Sequence, residues 1–482
     1  MKAKRLLSLL LTLFLLLGYT TSYADSMPNP TVDPNATEYD KEHPENLEEG
    51  HLACAAAIVI EESSGNPIFE KNADAIMYPA STTKIMTVLL GILYGNLEDV
   101  VTVSYAGSEA GVKAMLDENS SVLGLREGEE IVLENLLYGT LIRSGNDGTI
   151  AIAEHIAGSE AAFVEMMNAK AYELGMYNTH FANSHGLHDP THFTTAEDMS
   201  ILARAAMQNE TFRAIASTTS YNMPKTNKRQ ERTITSGHRI MNPSETSYYY
   251  EYMTGIKSGS HSDAGYCFVG AAEKDGVNLI SVVFYSNRYY VWHDTKKLME
   301  YGFSQYQHVS LEDLYHRNPL KAYILGYDKT DRGLGELELS ISPSYTGESA
   351  EITATKDEIE YLAENLRDLV HVEYTRELMA PVTSGETMGV LSYVTDGGTL
   401  IEYDLIATRS IPERSDKPLT IEQIEAKTDS AESLPPDLTS VILSGAIILV
   451  LLTAVFSAFG IVIWRMRRHY ARLPKNKNRY VK

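Results

Sequence analysis

The sequence predicts an α+β fold in which strands from both ends of one large region form a single sheet. Apolar, strand-like runs occur early, at 53–60, and return late, at 266–272 and 279–285. Helix-like stretches lie between them, and a further one, 292–301, follows the last strand. This order is typical of a sheet made from both ends of the region, with helices packed on it. The intervening helical stretches are 80–93, 133–141, 149–156 and 161–174.

Length, composition and charge narrow the class of protein. The chain has 482 residues, which exceeds one ordinary domain, and 44% of them are hydrophobic, as in a globular protein. The formal net charge is -23. Nucleic-acid binding would need a basic patch, so we expect no nucleic-acid partner.

Changes in residue pattern along the chain predict its domains. The large region covers 51–308, and short alternating segments between Gly, Asp and Ser turns predict a small all-β domain at 309–414. Polar stretches without apolar periodicity predict linkers at 25–50 and 415–438.

Both ends of the chain indicate export and membrane anchoring. Residues 1–24 have the basic start, short apolar run and small-residue cleavage site of a signal peptide. Residues 439–464 are apolar for long enough to form a transmembrane helix, and the tail 465–482 is basic. The positive-inside rule therefore predicts a single-pass protein of the cell membrane, with its folded domains on the extracytoplasmic face.

Two cysteines, Cys54 and Cys267, are too few for a disulfide framework. Both lie in apolar runs that are typical of strands. A pair remains possible in an exported chain, but we favour two buried free thiols.

The first chemical motif is Ser81-Thr82-Thr83-Lys84, at the start of an apolar helix. A separation of three places Ser81 and Lys84 on one helical face. A serine becomes a nucleophile when a base takes its proton, and a buried lysine can be that base because burial lowers its pKa. The Ser81 backbone N–H can also donate to an oxyanion. The pair alone is a weak signal.

Two further motifs follow along the chain. Ser144-Gly145-Asn146 offers a hydroxyl to relay a proton and, in Asn146, an amide to bind a substrate amide. Taken alone, this motif favours an ordinary polar turn over a functional site. Lys257-Ser258-Gly259 stands before a late strand, where lysine and hydroxyl suit a carboxylate and glycine admits a substrate backbone. The Ser260 N–H could be a second oxyanion donor.

Together, in this order, the three motifs match the signature of class A β-lactamases and penicillin-binding proteins. The chain resembles the D-alanyl-D-alanine carboxypeptidases, the low-molecular-mass penicillin-binding proteins, over about residues 53–306. Further matching stretches are 72–87, 163–168, 174–187 and 192–199, and residues 380–391 resemble the all-β domain that often follows in that family. The third motif departs from the family, which usually has threonine where this chain has Ser258. The family is also often anchored by an amphipathic helix rather than by a clear span.

The resemblance implies a β-lactamase/transpeptidase-like catalytic domain, which is an antiparallel sheet with helices on both sides. It also implies that the domain removes the terminal D-alanine from peptidoglycan stem peptides and is acylated by β-lactam antibiotics. It implies Ser81 as nucleophile, Lys84 as base and Ser144 as the catalytic residue of the middle motif. Substrate binding falls to the remaining motif residues, which are Asn146, Lys257, Ser258, Gly259 and Ser260.

Three alternatives remain open: a β-lactamase, an endopeptidase with the same site, and a non-catalytic envelope scaffold. A class A β-lactamase needs a separate glutamate for deacylation, and Glu165, followed by Asn168, is the candidate. The histidines His185, His188 and His192 could suggest a metal, but no His-Glu-x-x-His motif occurs. We expect no metal site and no cofactor.

Overall fold

The computed structural model describes residues 39–344, 349–394, 399–415 and 420–422. The predicted signal peptide, transmembrane helix and basic tail lie outside these ranges, as do most of both linkers. Within the described ranges, no helix is both long enough and apolar enough to cross a membrane.

The central element is a five-stranded antiparallel sheet with the order β2-β1-β9-β8-β7. The early pair β1 and β2 therefore joins the late strands, as the sequence predicts, and β7 forms one edge. The strands are β1 (Ala56–Glu61), β2 (Pro67–Lys71), β3 (Val100–Thr102), β4 (Glu130–Val132), β5 (Ser220–Met223), β6 (Arg232–Thr235), β7 (Met253–His261), β8 (Gly265–Lys274), β9 (Val277–Ser286), β10 (Tyr306–Ser310), β11 (Lys321–Tyr323), β12 (Glu336–Pro343), β13 (Glu351–Thr355), β14 (His371–Tyr374), β15 (Thr387–Val394) and β16 (Leu400–Ala407).

Helices cover both faces of this sheet. Because side chains of a strand alternate between faces, Ile58 packs with the larger helical layer while Val59 packs on the other side against the helix that carries Trp292. The predicted mixed architecture, a sheet with helices on both faces, is confirmed. The helices are α1 (Lys84–Tyr94), α2 (Glu109–Met115), α3 (Leu133–Arg143), α4 (Asn146–Ala157), α5 (Glu160–Leu174), α6 (Ala196–Met207), α7 (Glu210–Ser217), α8 (Tyr290–Gln305), α9 (Leu311–Arg317), α10 (Lys356–Glu364) and α11 (Leu366–Leu369).

The predicted helix at 80–93 is divided in two. Residues Ala80–Thr83 form a 3-10 turn, and the α-helix begins only at Lys84. Ala80, at the start of this turn, has φ of +48°, which is outside the α region, and its carbonyl oxygen lies close to Gly186, which is distant in sequence. Ser81 therefore lies on a tight turn before α1 rather than within it.

The small domain predicted as all-β is not confirmed as such. Strands β12, β16, β15 and β14 are neighbours in one antiparallel sheet, and β10 pairs with β13. Three helices, α9, α10 and α11, lie among them. The sequence carries a signal for one of these helices, because Thr355 and Glu358 form a capping box at the start of α10.

The chain divides into two compact units. Of the described residues, the first unit comprises those up to Lys321 and those within Glu338–Glu377 and Gly385–Thr408; the second comprises Ala322–Leu337, Leu378–Ser384 and those from Arg409 onward. The predicted boundary between residues 308 and 309 stays a prediction. Within the second unit, Arg409 forms an ion pair with Asp331, which lowers the pKa of that carboxyl.

Both cysteines are buried free thiols, as the sequence analysis favours. Cys267 lies on β8, whereas Cys54 lies just before β1, where its N–H donates to the buried carboxylate of Asp294. Burial raises the pKa of the Cys267 thiol to about 12, so this cysteine stays protonated at neutral pH.

Candidate active site

Ser81 is held between two close backbone contacts. A Cβ atom at Gly259 of β7 would lie 2.6 Å from the Ser81 nitrogen, and one at Gly186 would lie 1.8 Å from the Ala80 oxygen. Any larger residue at either glycine would displace the turn. The fold therefore fixes the position of Ser81 from two sides, through a strand and a loop that are distant in sequence.

Lys84 is fully buried, and its amine lies among three oxygens. The Nζ atom is 3.1 Å from Ser81 Oγ, 2.7 Å from Asn146 Oδ1 and 2.6 Å from the His185 carbonyl oxygen. Burial holds the pKa of Lys84 well below its usual range, and the charge of Lys257 lowers it further. Both effects favour the neutral amine.

The two polar residues of the middle motif lie at the end of α3 and at the start of α4. Ser144 ends α3 in a left-handed conformation, with φ of +62°, and lines the same cleft as Ser81. Asn146 begins α4; its Oδ1 accepts from Lys84 and its Nδ2 donates to Ser120 Oγ at 3.2 Å. The amide is therefore fixed in orientation by both partners.

The third motif lies on the edge strand β7. Ser258, Gly259 and Ser260 line the cleft, whereas the Lys257 side chain is 1% exposed and donates to the Ser258 carbonyl oxygen at 2.7 Å. Burial lowers the pKa of Lys257 to about 7. The charge of Lys257 acts on Lys84 in addition to burial, and both lower the pKa of Lys84.

The loop after α5 supports Lys84 from behind. It presents the His185 carbonyl oxygen, and Ser184 is held by hydrogen bonds from its N–H and its hydroxyl to Glu160 Oε1. His192 Nδ1 accepts the Ala182 N–H, so its Nε2–H donates to Thr83 Oγ1 at 2.8 Å. Burial lowers the pKa of His185 and of His192 to about 3, and both are neutral structural groups at physiological pH.

Two arginines that the sequence analysis did not single out also line the cleft. Arg239 and Arg288 join Tyr266 and Trp292 around the motif residues, in a cleft of about 290 Å³. Arg239 lies 4.3 Å from the centroid of the Tyr248 ring, a cation–π contact. Neither arginine belongs to a motif of characteristic spacing, so sequence alone gave no signal for them.

Two of the three histidines that could suggest a metal have ring nitrogens engaged in hydrogen bonds: His185 Nδ1 accepts the Leu187 N–H, and both ring nitrogens of His192 form the bonds given above. Among the described residues, His188, His261 and Asp263 have potential ligand atoms within 4.8 Å of one another. His261 Nδ1 accepts the backbone N–H groups of Asp263 and Ala264, so this nitrogen is already occupied.

The β-lactamase alternative depends on Glu165, which lies on the exposed side of α5. Asn168 on the same helix exchanges hydrogen bonds with the backbone of Phe181. Neither residue is among those that line the cleft. Within the described chain, the glutamate that this alternative requires is therefore not placed at Ser81.

Comparison with known proteins identifies the family. The family model described as D-alanyl-D-alanine carboxypeptidase matches residues 41–287. D-alanyl-D-alanine carboxypeptidase DacF of Bacillus subtilis (strain 168) is 31% identical over 362 residues, which is 73% of this chain and 84% of that protein. DacC of Escherichia coli (strain K12) is 28% identical over 77% of this chain and 87% of its own length.

Solved structures of related enzymes also match. The Streptomyces K15 DD-transpeptidase is 28% identical over 52% of this chain and 98% of its own, with a TM-score of 0.48. Penicillin binding protein 5 of Haemophilus influenzae is 25% identical over 75% of this chain and 98% of its own, also with a TM-score of 0.48.

The chain belongs to the D-alanyl-D-alanine carboxypeptidase family. The predicted family and the predicted class, a serine-type peptide hydrolase, are thereby confirmed.

Proposed function

We propose that this chain removes the terminal D-alanine of peptidoglycan stem peptides through an acyl-enzyme on Ser81, in a transpeptidase-like catalytic domain. The observation that carries the proposal is the environment of Lys84. A neutral amine has two N–H groups and one lone pair. Asn146 Oδ1 and the His185 carbonyl oxygen accept the two N–H groups, so the lone pair is left for the Ser81 hydroxyl at 3.1 Å.

In the acylation step, Ser81 Oγ attacks the carbonyl carbon of the penultimate D-alanine and its proton passes to Lys84 Nζ. The oxyanion receives hydrogen bonds from the N–H groups of Ser81 and Ser260. The C–N bond then breaks, and the leaving amine takes the proton from Lys84 through the Ser144 hydroxyl. Supporting this relay, Ser144 and Ser81 line the same cleft.

The leaving D-alanine ends in a carboxylate, and we assign its recognition to the third motif. Lys257 supplies positive charge and the Ser258 hydroxyl supplies a directed hydrogen bond. Arg239 and Arg288 add further positive charge along the same cleft. In the second step, water attacks the ester carbonyl, the bond to Ser81 Oγ breaks, and the serine recovers its proton.

A β-lactam presents a strained amide and a carboxylate in a similar arrangement, so the same residues explain acylation by penicillins. The nucleophile, base and donors act identically, but the departing nitrogen stays tethered to the acyl group. We therefore expect β-lactam antibiotics to inhibit the enzyme by occupying Ser81.

We further propose that the enzyme works on the extracytoplasmic face of the cell membrane. The support is the sequence: a signal peptide at 1–24, an apolar span at 439–464 and a basic tail. Protease applied to intact protoplasts should digest the folded domains and leave the span. Full protection of those domains would contradict this topology.

The activity is tested with the full-length protein in detergent and the peptide diacetyl-L-lysyl-D-alanyl-D-alanine. Released D-alanine should accumulate with the wild type and be absent with Ser81→Ala. Ser217→Ala, at an exposed serine that ends α7, is the matched control and should behave as wild type. Undiminished release by Ser81→Ala, or none by the wild type, would overturn the proposal.

A further inference from the structure

His238 lies directly behind the edge strand of the site, although it belongs to none of the three motifs. It precedes the 3-10 turn Arg239–Met241, and its side chain is buried. The ring packs edge-on against Phe268, with centroids 5.5 Å apart. Phe268 is the residue of β8 that opposes Ser258 of β7. His238 is therefore packed beside the third motif.

The polar groups of β7 can be assigned to its two sides. In an antiparallel pair, backbone N–H and C=O groups alternate between pointing to the neighbouring strand and pointing away from it. The Ser258 N–H donates to His238 Nε2 at 3.2 Å, and the Ser258 carbonyl oxygen accepts from Lys257 Nζ. At Ser258, both groups thus point away from β8.

The same direction follows for Ser260. The register between β7 and β8 is regular from Gly255 to His261, so residues two apart have equivalent orientations. The Ser260 N–H therefore also points away from β8, and Ser260 lines the cleft. Of these two outward N–H groups, that of Ser258 is taken by His238, whereas that of Ser260 is on the side where substrate would bind.

We propose that His238 is a positioning residue: by accepting the Ser258 N–H, it holds the edge of β7 so that the Ser260 N–H is aimed at the substrate carbonyl oxygen. The inference rests on the proposed function, since it concerns the oxyanion donors of that reaction. His238 acts through Ser258 and Ser260 and touches no reacting atom.

The state of the ring fits this role. A neutral ring that accepts through Nε2 carries its proton on Nδ1. Burial, together with the nearby charge of Lys257, lowers the pKa of His238 to about 3, so Nε2 remains an acceptor at physiological pH. The neighbouring residue, Arg239, lines the cleft, so the hydrogen bond between Ser258 and His238 also helps to position that arginine.

The test compares two substitutions of equal side-chain length in the full-length protein. His238→Gln keeps a strong acceptor, and His238→Met removes it. Stopped-flow measurement with a fluorescent penicillin separates the dissociation constant before acylation from the acylation rate constant. Misplacing an oxyanion donor affects the transition state, so the acylation rate constant of His238→Met should fall about tenfold or more. Its dissociation constant should change by less than about threefold, and His238→Gln should stay within about threefold of wild type in both constants.

Each other outcome overturns the proposal. Equal rate constants for wild type and His238→Met would show that the acceptor is dispensable, and equal losses in both variants would show that ring shape matters instead. If His238→Met does not fold, as judged by its thermal transition, His238→Phe replaces it with the same expectation. A wild type that is not acylated at Ser81 would remove the proposed function itself, whereas an acylated wild type with no difference between the variants would remove only the role of His238.

Discussion

Lys257→Met should make the protein more stable and less active. The substitution removes a buried amine whose charge destabilises the fold, and the same amine is the proposed partner of the substrate carboxylate. The pKa of Lys257 falls from 10.5 to about 7 through burial alone. One pKa unit corresponds to about 1.4 kcal/mol, so the fold pays about 5 kcal/mol when this lysine is charged. Methionine has a similar length and carries no charge.

The sign of the effect depends on pH in a defined way. Between about pH 7 and 10.5, the unfolded chain binds more protons at Lys257 than the folded chain does, so wild-type stability rises with pH across this window. Below about pH 7, Lys257 is protonated in both the folded and the unfolded state, and the folded state carries the full free-energy cost of burying its charge. The advantage of Lys257→Met in free energy of unfolding should therefore be about 5 kcal/mol at pH 6 and about 2 kcal/mol at pH 9.

Urea unfolding of both proteins at the two pH values measures these differences, and penicillin acylation measures the cost to function. Because Lys257→Met removes the positive charge that would bind the carboxylate of penicillin, it should lower the second-order acylation constant by about 30-fold or more. If the difference in free energy of unfolding between Lys257→Met and wild type does not change with pH, packing and not the buried charge causes that difference. A Lys257→Met variant that is less stable than the wild type at pH 6 would show that the buried charge does not destabilise the fold.

Two further substitutions test other parts of the site. Ser258→Thr keeps the hydroxyl and should change turnover of the D-alanyl-D-alanine peptide by less than about fivefold, whereas Ser258→Ala should cost about tenfold or more; equality of Ser258→Ala with wild type would require the third motif to be reassigned. Gly186→Ala should slow penicillin acylation by about tenfold or more, because its new methyl group would lie 1.8 Å from the Ala80 oxygen and displace the turn that carries Ser81. Gly175→Ala is the control, since Gly175 has a similar positive φ but no atom within 4 Å of the added Cβ; equal acylation rates for the two alanine variants would show that the Gly186 contact does not position Ser81.

The sequence predicted the sheet and the motif residues because both depend on patterns that are local or ordered along the chain. Apolar runs identified β1 and the late strands, and the three motifs identified residues that the structure brings to one cleft or buries beside it. The 3-10 turn at Ser81 could not be predicted, because the positive φ of Ala80 accompanies a close contact with Gly186, which is distant in sequence.

Three site residues and one helix were also not predicted from the sequence, for different physical reasons. Arg239, Arg288 and His238 enter the site through tertiary packing, and single arginines and histidines carry no spacing signal. The helix α10 was not predicted, although Thr355 and Glu358 form a capping box at its start. The segments on both sides of it have the residue pattern of strands, so the whole region was interpreted as β structure. The signal peptide and the transmembrane helix lie outside the described residues and stay predictions.

The role of Ser81 as the nucleophile is tested most directly by locating the penicillin adduct on the full-length protein. The protein is incubated with benzylpenicillin, digested, and the acylated peptide is sequenced by mass spectrometry. Because the Ser81 hydroxyl lies 3.1 Å from a buried amine whose two N–H groups are already bound, we predict one adduct, on Ser81, and none in Ser81→Ala. An adduct on another residue, or undiminished labelling of Ser81→Ala, would contradict it.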